Sequence, residues 1–96
     1  MRPSARLNAH REAVRAIVAR PRAANPRVFG SVARGEDGEQ SDLDILIDPV
    51  GAMSLFDLGA ISNELAELLG VEIDVLTPNA LPEKFRARVL AEARPI

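Results

Sequence analysis

Residues Asp42 to Asp48 read D-L-D-I-L-I-D and residues Val71 to Leu76 read V-E-I-D-V-L. Side chains alternate between the faces of a β-strand. Leu43, Ile45 and Ile47 therefore share one face with Asp42 and Asp44 on the other, and Val71, Ile73 and Val75 oppose Glu72 and Asp74 in the same way. Between the two lies a strong amphipathic helix: Ser54 is its cap, Leu55, Leu58, Ile61, Leu65, Leu68 and Leu69 recur at three- and four-residue intervals, and Gly70 stops it. A strand–helix–strand crossover of this kind lays the strands side by side. One face is greasy and the other ionic, so Asp42, Asp44 and Asp74 are expected to converge.

The remaining chain adds helices and one more strand. Ser4 predicts the cap of a helix to about Arg20, with Leu7, Val14, Ile17 and Val18 as its stripe and Pro21 and Pro26 bracketing its end. Arg27 to Phe29 reads as a short strand that stops at Gly30-Ser31, and residues 32 to 41 as a turn of helix and a loop. A last helix opens at Leu81 or Pro82, with Phe85, Val89 and Leu90 as a short apolar face, in the simpler reading core and in the other a surface where a partner docks. The order predicts an α/β (α+β) fold, a small mixed β-sheet covered by helices. With 96 residues and no repeats or linker, residues 1–96 are expected to form a single domain.

Composition narrows the function. Phe29, Phe56 and Phe85 are the only aromatic residues, so a base-stacking surface has almost nothing to be built from. The net charge of -2 gives no global pull toward phosphate backbones, and no direct nucleic-acid binding is expected. Seven arginines lie between Arg2 and Arg27; a solvated helix face is the simpler reading, an anion-facing patch the other. No cysteine is present for a disulfide or thiolate metal site, and His10 has no second histidine to share a metal. The N-terminal stretch resembles no signal peptide and no run approaches a membrane span, so a cytoplasmic location without membrane contact is expected.

Convergent aspartates are costly: two carboxylates ~5 Å apart repel by roughly 3 kcal/mol at an effective dielectric near 20. The segment from Glu36 to Glu83 contains no Lys or Arg to neutralise them. A divalent cation is the economical partner, and oxygen ligands alone point to Mg2+ or Mn2+. Gly30-Ser31, at the end of a strand, adds a turn where a phosphate can approach the backbone and a hydroxyl can donate to it. Together they suit the cation and the oxygens of a nucleoside triphosphate.

Gly30-Ser31, ten intervening residues, Asp42-Leu43-Asp44 and a third carboxylate on a later strand form a pattern expected by chance on the order of once in a thousand chains of this length. The stretch F-G-S-V-A-R-G-E-D-G-E-Q-S-D-L-D-I-L-I-D resembles the DNA polymerase beta-like nucleotidyltransferases, most closely their minimal nucleotidyltransferase branch, and the likeness spans nearly the whole chain. That resemblance implies an enzyme that binds ATP and two Mg2+ ions at Asp42, Asp44 and Asp74, with Asp74 also able to accept the nucleophile's proton and Glu72 a lesser substitute. It implies that Gly30 and Ser31 hold the β- and γ-phosphates, with Arg34 as a charge partner and Ser41 as a hydrogen-bonding support beside Asp42. Val32 departs from the polar or basic side chain that relatives often carry there.

Larger relatives add domains for the acceptor, and a chain this short is expected to receive its acceptor from outside. The resemblance implies an antitoxin that transfers AMP to a tyrosine of a HEPN-domain toxin, releasing pyrophosphate. Two alternatives stand beside it: a non-catalytic binding antitoxin that neutralises its partner by contact, and a metal-dependent phosphohydrolase.

Overall fold

A computed structural model describes residues 1–20 and 23–96. In chain order the elements are α1 (Pro3–Ala9), α2 (Arg11–Ala19), β1 (Ala23–Phe29), α3 (Gly30–Ala33), β2 (Leu43–Pro49), α4 (Leu55–Leu69), β3 (Ile73–Leu76), a 3-10 turn (Pro78–Ala80), α5 (Glu83–Glu92) and β4 (Arg94–Pro95). The sheet runs β3-β2-β1-β4. β2 and β3 are parallel, joined by the α4 crossover, whereas β1 pairs antiparallel with both β2 and β4, so the sheet is mixed as expected.

Alternation in β2 sends Leu43, Ile45 and Ile47 into a core shared with Leu7, Val14 and Val18 of the first two helices, Ile61, Leu65 and Leu69 of α4, and Val75 of β3. The crossover helix is fastened at both ends as its sequence predicts. Ser54 Oγ accepts from Asp57 N while Asp57 Oδ2 accepts from Ser54 N, and Gly70 adopts the left-handed conformation with φ 66°. The opposite face is less ionic than the alternation suggests. Leu46 is fully buried there with Phe29 and Leu81, and Leu76, Val89 and Ala93 pack around them.

Several expectations change. The single helix from Ser4 to Arg20 is two helices that meet at His10, where the chain leaves helical geometry at φ -131°, ψ 24°. The break re-aims the second half: Arg6 Nη1 reaches Leu69 O at 3.2 Å while Val14, Ile17 and Val18 turn onto the sheet. Ser4 is not the cap. Pro3 occupies the first helical turn, where it needs no N–H, and the free N–H of Ser4 donates to the Asp37 carboxylate at 2.9 Å. Pro21 lies outside the described residues, and Pro26 sits inside β1 beside a register irregularity between Ala24 and Arg27, which is why that strand is longer than expected. Val71 and Glu72 precede β3, although Leu43 N already donates to Glu72 O at 2.9 Å. Of the presumed core face of α5 only Val89 is packed; Phe85 and Leu90 are exposed, because the helix covers just the small patch around Leu46.

Arg22 lies outside the described residues, and the arginines described around it act as fasteners more than as a free patch. Arg6, Arg11 and Arg15 donate to the backbone oxygens of Leu69, Pro95 and Ile96, and Arg20 and Arg27 pair with Glu64 and Asp48. No helix among the described residues is long and apolar enough to cross a membrane.

Candidate active site

Strand register builds the site. Asp44 lies opposite Phe29 across the antiparallel pair and opposite Asp74 across the parallel one, which sets the end of β1 and the start of β3 on either side of one carboxylate. Asp42 stands two residues earlier, exposed, on the same face as Asp44. At Gly30 the chain turns from β1 into α3 with φ 71°. A Cβ built on Gly30 would fall 2.2 Å from Asp44 Oδ2, so any side chain here would displace that carboxylate, and the positive φ favours glycine besides.

Electrostatics confirm how crowded Asp44 is. Half-burial raises its pKa, and the charges of Asp74 and Asp42 and a hydrogen bond with Asp74 push it further, to about 6, against the opposing pull of Arg34. Asp74 itself is exposed on the edge strand. Among the described residues no three carboxylate, imidazole or thiolate groups stand close enough to enclose an ion by themselves. Asp42, Asp44 and Asp74 thus line an open edge rather than a closed cage. The donors fit a hard divalent cation: every one is a carboxylate oxygen, and the central carboxylate is destabilised by its neighbours until positive charge arrives.

The other expected residues are placed as follows. Ser31 begins the α3 turn, half-buried, directly after Gly30. Ser41 does not bond to Asp42; its Oγ accepts from Gly38 N at 2.9 Å, closing the loop that leads into β2. Ser41, Asp42 and Glu72 line one cleft of about 350 Å3 together with Glu39, Gln40, Gly70 and Val71. Val32 turns inward against the main core, which suits its apolar side chain. Arg34 is gripped by two carboxylates: Nε donates to Glu36 Oε1 at 2.6 Å, and Nη1 donates to Glu92 Oε1. These partners hold its guanidinium more firmly protonated than usual. Neither glutamate stood out in the sequence, because Glu92 is 58 residues from Arg34 and reaches it only when β4 docks on β1.

Comparison with known proteins agrees with this geometry. Residues 7–96 match the nucleotidyltransferase domain family. A protein of Methanocaldococcus jannaschii, provisionally named a protein adenylyltransferase, is 47% identical over 66 residues, covering 69% of this chain and 71% of the relative. A solved structure provisionally named a minimal nucleotidyltransferase superposes with a TM-score of 0.87 at 43% identity, covering 97% of this chain and 95% of that one. A toxin–antitoxin complex with AMP-PNP shares the fold, with a TM-score of 0.69 at 16% identity over 96% of this chain and 70% of its own. The match over residues 7–96 shows that the chain belongs to the nucleotidyltransferase domain family, and the mixed sheet and the Gly30 turn beside Asp44 are consistent with it.

Proposed function

We propose that this chain is a Mg2+-dependent protein adenylyltransferase that moves AMP from ATP to a tyrosine of a HEPN-domain toxin and releases pyrophosphate, serving in the cytoplasm as the antitoxin of that pair. The observation that carries the reading is Asp44, wedged between Asp42, Asp74 and the bare backbone of Gly30, with its pKa lifted to about 6. A carboxylate in that position favours a ligand that brings positive charge to the edge and phosphate oxygens to the turn. The names of the Methanocaldococcus relative and of the toxin–antitoxin complex support the choice of reaction and partner.

In this reading Asp42, Asp44 and Asp74 hold two Mg2+ ions, with Mn2+ able to substitute. Such ions neutralise the entering and leaving oxygens and lower the pKa of the attacking hydroxyl. The chain's own groups do the rest. Gly30 admits the triphosphate to the backbone, the Ser31 hydroxyl donates to it, and Arg34 lends a positive charge beside the turn. Ser41 keeps the loop before Asp42 closed through Gly38. Asp74, exposed at the edge of the sheet where an acceptor can approach, takes the proton of the nucleophile.

The test is transfer of label from α-phosphate-labelled ATP, with Mg2+, to the product of the neighbouring gene. Pyrophosphate release with a labelled partner, lost in Asp42→Asn and Asp44→Asn, is the expected outcome. Release of inorganic phosphate would indicate a phosphohydrolase instead. Full neutralisation of the toxin by either variant would indicate an antitoxin that acts by contact alone.

A further inference from the structure

Glu92 is an oddly placed carboxylate. It is the last residue of α5, where the partial negative charge of the helix end disfavours an anion, and its side chain is only 18% exposed. The Arg34 guanidinium is the one cation paired with it among the described residues. Both partners hang from the same strand. Arg34 follows Phe29 of β1 through the α3 turn, and its N–H donates to Gly30 O at 3.2 Å. Glu92 is followed by Ala93, packed against the Phe29, Leu46 and Leu81 patch, and by Arg94, which pairs with Val28 of β1. Ile96 N then donates to Pro26 O at 3.0 Å, so the segment after Glu92 is tied down on both sides. Glu36, the other partner, sits two residues from Arg34 on an exposed loop; its N–H donates to Ser31 O at 2.8 Å, a tie to the α3 turn alone, whereas the segment after Glu92 is tied to strand β1.

We propose that Glu92 is the positioning residue for Arg34: fixed to β1 through β4, its carboxylate holds the guanidinium beside the Gly30-Ser31 turn with Nη2 left to meet a phosphate oxygen. This rests on the nucleotide-binding role given to Arg34 above. Nε and Nη1 are occupied by Glu36 and Glu92, whereas Nη2 has no hydrogen-bond partner among the described residues. A long, exposed arginine loses rotamer freedom when it grips a ligand, and a preformed clamp removes that cost before the nucleotide arrives. A carboxylate that merely stapled α5 to the turn would stabilise the fold and leave nucleotide affinity alone.

The experiment measures binding of α,β-methylene ATP, which cannot transfer its AMP, by calorimetry with Mg2+ present. Glu92→Gln should weaken binding by about 5- to 20-fold, the scale of one charge-assisted hydrogen bond, and Glu92→Asp should recover most of the loss. In the double variant with Arg34→Ala, the Glu92 substitution should add nothing to the loss from Arg34→Ala alone. Unchanged or tighter binding in Glu92→Gln, or additive losses in the double variant, overturns the proposal. Arg34→Ala, which removes an exposed side chain and spares the core, is an independent check: affinity equal to wild type overturns it even if Glu92→Gln does not fold. A wild-type protein that binds no nucleotide overturns the functional reading itself, whereas wild-type binding with an indifferent Glu92 sinks only this inference.

Discussion

A methyl group at position 30 would meet the central carboxylate of the site. The clash at 2.2 Å is with Asp44 Oδ2, the end of a side chain that can rotate away, so the fold itself bears mainly the strain of placing an L-residue at φ 71°. Gly30→Ala should therefore fold, with a loss of about 1–2 kcal/mol in urea denaturation. Binding of Mg2+ and nucleotide should fall much further than stability does, because the displaced Asp44 no longer faces Asp42 and Asp74; a variant that binds normally would show that the contact is incidental. Only half of this was legible in the sequence. Gly30-Ser31 after a strand signals a turn open to phosphate, but the contact with Asp44 depends on the Phe29–Asp44 register, which no local pattern encodes.

At the scale of elements, the sequence carries a reliable signal where both partners of an interaction lie within one turn. Ser54 is the cap that the sequence implies, and Asp57, three residues on, completes a capping box with it, so Ser54→Ala should cost about 1 kcal/mol, measured by the urea midpoint at unchanged slope. The start of α1 shows the converse. Ser4 has the right chemistry for a cap, yet the capping oxygen belongs to Asp37, a residue 33 positions away that is 4% exposed. Burial alone would raise the Asp37 carboxyl, but the hydrogen bonds from Ser4 and the nearby Arg2 hold it below its ordinary value. Asp37→Ala should accordingly cost about 1–2 kcal/mol, more than Ser4→Ala. The two-residue β4 was invisible for the same reason: Arg94–Pro95 carries no periodicity, and only the edge of β1 makes it a strand. Phe85 and Leu90 misled because apolar spacing says which face of α5 is greasy and not how much sheet lies beneath it.

Across the whole molecule, carboxylates act on stability with opposite signs. Asp48 is held below its ordinary pKa chiefly by hydrogen bonds from Arg27, with burial opposing and Asn25 assisting, and Asp37 is likewise depressed. Both contribute stability above the unfolded pKa of 3.8 and lose it as pH falls through their lower folded values. Asp44 does the reverse. Its folded pKa of about 6 exceeds the unfolded 3.8, so the folded state retains a proton that the unfolded chain has released, and stability declines as pH rises through that window. Allowing for solvent screening at a half-exposed group, the penalty above pH 6 is about 1–2 kcal/mol. Asp44→Asn removes it. The variant should melt higher than wild type at pH 7.5, by about 4–8 °C for each kcal/mol recovered, and the gap should close as the pH is brought below 4. Adding Mg2+ at pH 7.5 should raise the melting temperature of the wild type and leave Asp44→Asn nearly unmoved, since the ion relieves a repulsion that the variant no longer has. A melting difference that stays constant from pH 4 to 7.5 would mean that Asp44 is not crowded by charge, and the case for a cation at this edge would lose its physical basis.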